Sequence, residues 1–562
     1  MYIGEKKEKY IIYGSNRVAK DFLYIFNNLN IVAYLNDDVE TEHIRKTIVT
    51  HDSAQIIVCD FEHTLKENTL IQLGLKRGTD YLLEEDFFES LDNIHVPQDK
   101  ECYIWGTGKM AGYFLGEGPK LHIDGFIDSN ESIENFEGYK VFRPDYLKER
   151  KNSFVIVAVA KNREIVKFMH ELGKKDNIDF CIYDKLIGQP SRMLRKTIFD
   201  RSRYEIECHT MLNHLEILAE GNTRCCCTTF VNQSLGNITQ ESFDDIWLSN
   251  LHRIMCLSLE NRTYSFCNKE MCPLFVGCSK RDAVSCFDEY QHYQIMEQFP
   301  KVLVAGFDAS CNLRCETCRK NFYYSCGEDK QVQSEILDII KNEYICSVNF
   351  LILAGDGEVF ASNTYKQLFT MSECQPRYIR LLTNGTLFDE KNWKRLTENK
   401  DSKIMMTVSI DAATKETYEK IRRGGDFSKL KSNMEYAAML RKSGQLSYLR
   451  FNFVVQRENY KEIPAFILWG ESLGVDEIFF TKILNWGTYS DKEFETVSMM
   501  EKDGITPKVE LAEILESDIL KNSKIVDLGT IRSGHRIDYK EAVYNYYMWE
   551  LEKRGGNLFS KL

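Results

Sequence analysis

The chain has 562 residues, with 84 acidic and 72 basic side chains and a formal net charge of −12 at pH 7. Because domains usually contain roughly 100 to 200 residues, this length predicts three to five units. The negative charge provides no general attraction to a phosphate backbone or an anionic membrane, so neither nucleic acid nor membrane is an expected partner. The first ten residues are charged, and no apolar run reaches the roughly 18 to 20 residues that span a bilayer. The composition therefore predicts a cytoplasmic protein.

The cysteines are distributed unevenly along the chain. Of the 18 cysteines, fifteen fall between Cys208 and Cys374, and twelve fall between Cys208 and Cys318. In a cytosolic chain such a density is more often metal-binding or catalytic than disulfide-bonded. The pattern therefore predicts metal sites in the middle of the chain.

Two stretches near the N-terminus share a pattern of apolar strand, glycine turn and helix. The offset between Gly14 and Gly106 is 92 residues, and the same offset separates Asn36 from Asp128, which each follow a second apolar run. Such self-similarity indicates two copies of one supersecondary unit. We therefore predict two small Rossmann-like α/β domains, at residues 1–98 and 99–190.

The second copy contains the pattern Gly106-x-Gly108-x-x-Ala111, followed by Asp128 at a predicted strand end. These glycines let a backbone approach a pyrophosphate at a helix N-terminus, and the acid can bind a ribose hydroxyl. A βα turn can also need glycine for close packing alone. Nucleotide or nucleotide-sugar binding and a structural role therefore both remain open. The two units resemble the small Rossmann-like domains attached to sugar-modifying enzymes.

The rest of the chain changes character twice. Residues 200–290 have poor periodicity and many cysteines, which predicts a small metal-stapled domain. Strand-like runs then alternate with amphipathic helical stretches, which predicts a parallel sheet or barrel. The predicted strands are 302–307, 349–354, 378–382, 404–410, 449–455 and 477–483. The remaining segment, 488–562, is predicted to be a helical extension with a helix at 538–553.

Three cysteines directly follow the first of these strands. Cys311, Cys315 and Cys318 place three thiolates within eight residues. A structural zinc site needs four ligands, whereas an iron–sulfur cubane held by three cysteines leaves one iron open for chemistry. A zinc site completed by a distant residue is the alternative.

This C-x3-C-x2-C loop resembles the signature of the radical S-adenosylmethionine (SAM) superfamily, and the resemblance covers residues 296–487. It implies a partial (β/α)6 TIM-like barrel with a [4Fe-4S] cluster held by Cys311, Cys315 and Cys318. In that family the open iron binds the amino and carboxylate groups of SAM, and one electron cleaves SAM to methionine and a 5′-deoxyadenosyl radical. The radical abstracts a substrate hydrogen. The resemblance also implies an electron donor such as flavodoxin or ferredoxin.

Further motifs at the strand ends support this resemblance. Residues 354–358 are similar to the family's glycine-glycine-acid motif, which holds the methionine ammonium, and residues 383–386 match its TNGT turn. The resemblance makes Glu358 a predicted catalytic residue beside the three cysteines. The predicted SAM contacts are Gly355, Gly357, Glu358, Asn384, Ser409, Asp411, Arg422 and Asn452.

The cysteine-rich segment resembles the SPASM auxiliary-cluster domain, which usually follows the barrel but here precedes it. The resemblance implies a second iron–sulfur cluster. The predicted ligands are Cys208, Cys226, Cys267 and Cys272, with Cys225 and Cys278 as substitutes. A zinc site built from the same cysteines is the alternative, because spacing alone does not distinguish the two metals.

Together these features predict a radical SAM enzyme of the oxidoreductase or isomerase type. Its predicted cofactors are a [4Fe-4S] cluster, SAM and an auxiliary iron–sulfur cluster. We expect it to modify a sugar or a nucleotide sugar. A maturase that modifies a ribosomally made peptide is the first alternative, and a non-catalytic metal-binding scaffold is the second.

Overall fold

The computed structural model describes residues 8–159, 162–206, 208–269, 272–275, 280–282, 298–353, 357–369, 375–398, 401–485 and 488–531. The chain forms two compact units. The first contains Met1–Glu205, Leu248–Phe266 and Lys280–Ile295, and the second contains Ile206–Trp247, Cys267–Ser279 and Met296–Leu562. The segment 200–290, which we expected to form one domain, is therefore divided between the two units. The predicted helix at 538–553 lies outside the described residues.

The first unit begins with a four-stranded parallel sheet in the order β2-β1-β3-β4. Its central strands, β1 and β3, are buried at every residue, as expected for parallel strands covered on both faces. The elements in chain order are β1 (Tyr10–Tyr13), α1 (Arg17–Ile25), β2 (Ile31–Leu35), α2 (Thr41–Thr50), β3 (Gln55–Val58), α3 (Thr64–Gln72) and β4 (Tyr81–Leu83).

A second sheet follows, and its elements are β5 (Glu101–Trp105), α4 (Lys109–Glu117), β6 (Gly125–Ile127), β7 (Asn135–Phe136), β8 (Tyr139–Phe142), β9 (Ser153–Val157), α5 (Arg163–Glu171), β10 (Phe180–Ile182), α6 (Tyr183–Ile187) and α7 (Pro190–Phe199). The sheet has the order β10-β9-β5-β6-β8-β7. The run β6-β5-β9-β10 repeats the arrangement β2-β1-β3-β4 of the first sheet. The antiparallel β7–β8 hairpin is an addition at the edge beyond β6.

The cysteine-rich stretch contains β11 (Ser202–Tyr204), α8 (Thr210–Asn213), β12 (His214–Ile217), β13 (Asn222–Arg224), β14 (Gly236–Asn237), α9 (Phe243–Trp247), α10 (Asn250–Glu260) and β15 (Lys280–Asp282). In the first unit β11 pairs with β15, and Ile254 and Leu257 of α10 pack into the core that contains Val18, Phe22 and Leu194. In the second unit β12, β13 and β14 join the large sheet.

The second unit continues with β16 (Val302–Ala305), α11 (Gly327–Ile339), β17 (Phe350–Leu353), α12 (Asn363–Phe369), β18 (Tyr378–Thr383), α13 (Glu390–Thr397), β19 (Lys403–Ser409), α14 (Lys415–Ile421), α15 (Phe427–Lys442), β20 (Tyr448–Val455), α16 (Ile463–Leu473), β21 (Glu477–Lys482), α17 (Asp491–Val497), α18 (Val509–Leu515), α19 (Asp518–Asn522) and β22 (Val526–Asp527). Its ten-stranded sheet has the order β14-β13-β12-β16-β17-β18-β19-β20-β21-β22. The six predicted strands are β16 to β21, adjacent and parallel in chain order. The α/β class and the partial TIM-like barrel are thereby confirmed.

Two parallel strands that we did not predict extend this array. β12 pairs with β16 on one side, and β22 pairs with β21 on the other. β12 has four residues, of which His214 and Glu216 are polar, and β22 has two residues, so neither carries an apolar run that predicts a strand from sequence. Because parallel strands end on the same edge of a sheet, the carboxyl ends of β16 to β20 bring their following loops together. None of the helices in the described ranges is long and apolar enough to cross a membrane.

The repeated glycines of the two α/β copies give the first testable prediction. Gly14 has φ +147°, and a Cβ there would lie 2.2 Å from the carbonyl oxygen of Cys59. Gly14→Ala should therefore strain the β1–α1 turn and lower the thermal stability of the first unit, by about 1–3 kcal/mol in unfolding free energy. Gly112→Ala is the matched control, because a Cβ at this position of α4 has room. Equal melting curves for the two variants would contradict this prediction.

Candidate functional site

The three predicted cluster cysteines lie on the loop between β16 and α11. The N–H of Cys311 donates to the carbonyl of Tyr323 (2.8 Å), which closes the base of the loop, and the N–H of Cys318 donates to the carbonyl of Cys315 (3.0 Å). Cys315 is buried, Cys311 is partly buried and Cys318 is exposed. The three thiols therefore differ in solvent exposure, from the buried Cys315 to the exposed Cys318.

Asp308 fixes the shape of this loop. Its carboxylate accepts hydrogen bonds from the backbone N–H of Ser310 (2.9 Å), the hydroxyl of Ser325 (2.9 Å) and the hydroxyl of Ser362 (2.5 Å). These contacts join both arms of the loop to the N-terminus of α12. We did not predict this role, although an acid placed between a buried strand and a serine is a recognisable signal for such an anchor.

Gly357 brings the end of β17 against the backbone of the cysteine loop. A Cβ at Gly357 would lie 2.3 Å from the carbonyl oxygen of Asp308 and 2.8 Å from that of Ser310. The next N–H, from Glu358, donates to the Ser310 carbonyl (2.7 Å). A glycine is therefore required here by the approach of two backbones. The predicted contact Gly355 lies outside the described residues.

The Glu358 side chain connects the ends of β17 and β18. Its buried carboxylate accepts hydrogen bonds from the backbone N–H of Asn384 (2.6 Å), the hydroxyl of Thr383 (2.7 Å) and the backbone N–H of Phe360 (3.2 Å). Burial raises the pKa of Glu358 above its usual range, although these three hydrogen bonds favour the ionised form. This anchoring role was not predicted from the sequence.

Asn384 carries the network from Glu358 to the first cysteine. Its side-chain N–H group lies 3.0 Å from the Asn312 oxygen and 3.9 Å from the Cys311 sulfur. Its side-chain oxygen accepts from the backbone N–H of Thr386 (3.0 Å). The TNGT turn is thereby bonded to the loop on which the cysteines lie.

Asp411 and Arg422 form a second network, which reaches Cys315. Asp411 is buried and adopts φ +67°, a conformation that is uncommon for a residue other than glycine. Its carboxylate pairs with the Arg422 guanidinium (2.6 Å), which lies 3.7 Å from the Cys315 sulfur. Burial disfavours the Arg422 cation, but Asp411 and Cys315 outweigh this effect and raise its pKa. The ion pair thus holds a cation beside a predicted cluster ligand.

Ser409 and Asn452 are opposite each other in neighbouring strands, β19 and β20. The backbone N–H of Ile410 donates to the backbone carbonyl of Asn452 (3.1 Å). The side-chain oxygen of Asn452 is buried, and it has no hydrogen-bond partner within the part of the chain that the structure describes. Because buried acceptors are usually paired, this atom is available for a bound ligand.

The auxiliary cysteines lie at the other end of the sheet. Cys208 precedes β12, and residues 225–227 follow β13, which runs antiparallel to β12. Both segments are therefore close to the amino end of β12. Cys267 is brought in by a bridge to Val231.

The thiols of this group act on one another electrostatically. Burial raises the pKa of Cys226 well above its usual range, and the thiols of Cys208, Cys227, Cys267 and Cys272 raise it further. Burial also raises the pKa of Cys225 to about 12, with a smaller contribution from Cys208. The four predicted ligands therefore share one electrostatic environment, which also includes Cys225 and Cys227. Cys278 lies outside the described residues.

Both cysteine groups fit iron–sulfur ligation in their donor chemistry. Thiolates are the ligands that hold such clusters, with three in the first group and at least four in the second. Within the described ranges, no three His, Cys, Asp or Glu side chains stand ready to hold a metal ion.

In the first unit, the structure shows what the glycine pattern at Gly106 does. Gly106 has φ +112°, and a Cβ there would lie 2.9 Å from the carbonyl oxygen of Ala158. Asp128 accepts a hydrogen bond from the hydroxyl of Thr107 (2.6 Å). The close packing at Gly106 is reason enough for that glycine, while Gly108 has open space around it.

Two family models match the chain. Residues 309–469 match the radical SAM superfamily, and residues 208–273 match the SPASM iron–sulfur cluster-binding domain. The chain thus carries a radical SAM domain preceded by a SPASM domain. These domains imply [4Fe-4S] clusters and SAM as cofactors.

Sequence relatives cover part of the chain. A protein of Methanococcus maripaludis named as a probable GTP 3′,8-cyclase is 25% identical over 164 residues, which are 29% of this chain and 53% of the relative. A protein of Saccharolobus islandicus with the same name is 25% identical over 198 residues, which are 34% of this chain and 60% of the relative. The chain therefore spans a little over half the length of these relatives.

Solved structures also give partial matches. SuiB of Streptococcus suis, bound to the precursor peptide SuiA, matches with 16% identity and a TM-score of 0.27, covering 33% of this chain and 40% of that chain. The radical SAM methyltransferase TsrM of Kitasatospora setae matches with 12% identity and a TM-score of 0.26, covering 68% of this chain and 75% of that chain. Such scores carry no inference about the substrate of this chain.

The raised pKa of Glu358 gives a prediction about pH. Because the folded chain binds a proton on Glu358 at a higher pH than the unfolded chain does, protonation stabilises the folded state as the pH falls. Relative to Glu358→Gln, the wild-type protein should gain thermal stability between pH 7 and pH 5. Melting curves of both proteins without SAM, recorded across this range, test the prediction. A constant difference between the two melting temperatures would contradict it.

The auxiliary cysteines give a prediction about metal content. The double variant Cys226→Ser/Cys267→Ser should lose the auxiliary cluster but retain the one at Cys311, so bound iron should fall by about half for two clusters of equal size. Iron analysis and electron paramagnetic resonance (EPR) spectra after anaerobic reconstitution provide the measurement. The control is Cys326→Ser, which changes an exposed cysteine outside both groups. Loss of all iron would contradict two independent sites, and full iron retention would contradict the ligand assignment.

Proposed function

We propose that this protein cleaves SAM reductively at a [4Fe-4S] cluster held by Cys311, Cys315 and Cys318, and then abstracts hydrogen from a sugar or nucleotide-sugar substrate. The observation that carries the proposal is the pair of networks that end at cysteine sulfurs. One runs from Glu358 through Asn384 to Cys311, and the other runs from Asp411 through Arg422 to Cys315. They join the predicted cluster ligands to predicted SAM contacts in the segments that follow β17, β18 and β19.

When bound, the cluster supplies the electron and SAM supplies the 5′-deoxyadenosyl radical. The protein's own residues bind SAM and orient it. Each oxygen of Glu358 already accepts a hydrogen bond from the protein. The oxygen that faces Asn384 accepts one hydrogen bond from the described residues, so it keeps acceptor capacity for an ammonium group. Asp411, held by Arg422 and by the N–H of Val454 (2.8 Å), keeps the end of β19 in one conformation.

Two neighbouring strands carry buried polar groups without partners among the described residues, and these groups support a hydroxyl-rich substrate. Thr407 and Ser409 lie on one face of β19, and their register partners on β20 are Arg450 and Asn452. The Thr407 hydroxyl and the Asn452 side-chain oxygen are both buried without hydrogen-bond partners in the described part of the chain. Leaving buried polar groups unpaired costs about 1–3 kcal/mol each, and the hydroxyls of a sugar would satisfy them.

The relatives named as GTP 3′,8-cyclases support a substrate that contains a nucleotide, because their name specifies one. The match covers 29% to 34% of this chain. The nucleotide is therefore part of the proposal. Peptide modification is the competing outcome that the substrate experiment has to separate from it.

The cluster assignment predicts the behaviour of a triple variant. Cys311→Ser/Cys315→Ser/Cys318→Ser should lose SAM cleavage completely, because serine does not replace three thiolate ligands. Release of 5′-deoxyadenosine under anaerobic reduction provides the measurement. The exposed Cys326→Ser variant serves as control and should retain the activity. A wild-type sample with a complete cluster and no 5′-deoxyadenosine would overturn the proposal.

The substrate class is tested in the same assay. Nucleotide sugars deuterated on the sugar ring should transfer deuterium to 5′-deoxyadenosine, which mass spectrometry detects. Transfer only from a deuterated peptide would overturn the sugar assignment and establish the peptide alternative. Cleavage of SAM without transfer from either class would also overturn it.

A further inference from the structure

Each of the three cluster cysteines faces a side-chain N–H donor from a different part of the unit. The Asn384 amide lies 3.9 Å from the Cys311 sulfur, the Arg422 guanidinium lies 3.7 Å from the Cys315 sulfur, and the Arg319 Nε lies 3.4 Å from the Cys318 sulfur. Sulfur accepts hydrogen bonds at longer distances than oxygen does. The three thiols are therefore matched one to one with three donors.

Two of these three donors are cations, and both are held in place by other contacts. Arg422 is fixed by its ion pair with Asp411 (2.6 Å). Arg319 donates its Nη1 group to the carbonyl of Ala309 (2.6 Å), which lies on the same loop. Because these contacts orient the guanidinium groups, their N–H bonds toward sulfur do not depend on chance side-chain rotation.

Adjacent cations differ in what they contact. The Arg423 guanidinium pairs with Glu316 (2.8 Å), and the Arg314 guanidinium lies over the ring of Phe322, 5.5 Å from its centroid. Neither contact is to a cysteine sulfur. Arg422 and Arg423 are consecutive in sequence, but only Arg422 donates a hydrogen bond to a cysteine sulfur, whereas Arg423 pairs with a carboxylate near the cysteine loop.

A donor to a thiolate ligand stabilises the reduced cluster more than the oxidised one. Reduction adds one negative charge, and part of that charge resides on the ligand sulfurs, so N–H groups and cations beside the sulfurs raise the reduction potential. A cluster that must be reduced by a protein donor needs a potential within that donor's range. The side chains around the sulfurs can therefore change the reduction potential of the cluster.

We propose that Arg319 and Arg422 set the reduction potential of the cluster, by donating N–H bonds to the sulfurs of Cys318 and Cys315. This inference rests on the proposed function for the presence of the cluster and its use in reduction. Arg319 and Arg422 are positioning residues here, since they act through the cysteine ligands. They contribute separately, because they approach different sulfurs from different elements.

The test is a potentiometric titration of the anaerobically reconstituted protein without SAM, monitored by EPR. Arg422→Gln shortens the side chain and removes the donor to Cys315, and Arg319→Met removes the donor to Cys318. Each variant should shift the equilibrium constant for reduction about tenfold toward the oxidised state. For a one-electron couple this is a decrease of about 59 mV in midpoint potential.

Matched control variants distinguish the effect of losing a hydrogen bond to sulfur from the effect of losing a positive charge on the reduction potential. Arg423→Gln makes the same substitution one residue away, and Lys320→Met makes the same change beside Arg319, so both should leave the potential close to the wild-type value. Arg319→Gln keeps a neutral N–H at the position of Nε and should lie between wild type and Arg319→Met. Equal shifts in the controls and in the donor variants would overturn the proposal.

The outcomes also distinguish this inference from the proposed function. A wild-type sample without the EPR signal of a reduced cluster would overturn both. The inference alone would be overturned by a different result. In that case the wild-type protein gives a normal EPR signal and releases 5′-deoxyadenosine normally, while Arg319→Met and Arg422→Gln have the wild-type midpoint potential. If Arg422→Gln fails to fold because the buried Asp411 carboxylate loses its cation, Arg319→Met decides, because Arg319 lies on the partly exposed loop.

Discussion

The buried carboxylate of Glu358 is the interaction on which the site depends. It accepts hydrogen bonds from Thr383 and Asn384 at the end of β18, while the N–H of the same residue donates to Ser310 in the cysteine loop. One residue thus ties three consecutive strand ends together. Because a buried carboxylate without donors would be costly, these hydrogen bonds offset part of the cost of burial, which still raises the pKa of Glu358. The chain thereby places a buried carboxyl group beside thiols that become negative when they bind a metal.

The opposite charge is supplied by Arg422, and its position follows from the backbone at Asp411. A positive φ at a non-glycine residue is sustained only when the surroundings hold it, and here Val454 and Asn459 bond the Asp411 side chain and carbonyl. The carboxylate then directs the guanidinium toward Cys315. Strand ends β19 and β20 therefore control the electrostatic surroundings of a ligand that lies after β16. The consequence is that side chains far apart in sequence determine the properties of one sulfur.

The sequence predicts the parts of this arrangement that depend on long or local patterns. Strands β16 to β21 are apolar runs of four to eight residues separated by amphipathic helices, and the cysteine spacing is local, so both are recognisable without a structure. β12 alternates polar and apolar residues over four positions and β22 has two residues, so neither carries an apolar run, and their place in the sheet depends on pairing with distant strands. Asp308 and Arg319 have roles that arise only when the loop folds back on itself. Hydrogen bonds of this kind are set by tertiary contacts, which no periodicity encodes.

The placement of β12 has a consequence for the auxiliary cysteines. β12 runs parallel to β16, with His214 opposite Val302, so the cysteines beside its amino end and the cysteine loop after β16 lie at opposite ends of neighbouring strands. A strand of four residues spans about 13 Å, so the length of a strand separates the two groups of predicted ligands. A SPASM segment that precedes the barrel therefore presents its predicted ligands at the edge of the sheet opposite to that of Cys311, Cys315 and Cys318.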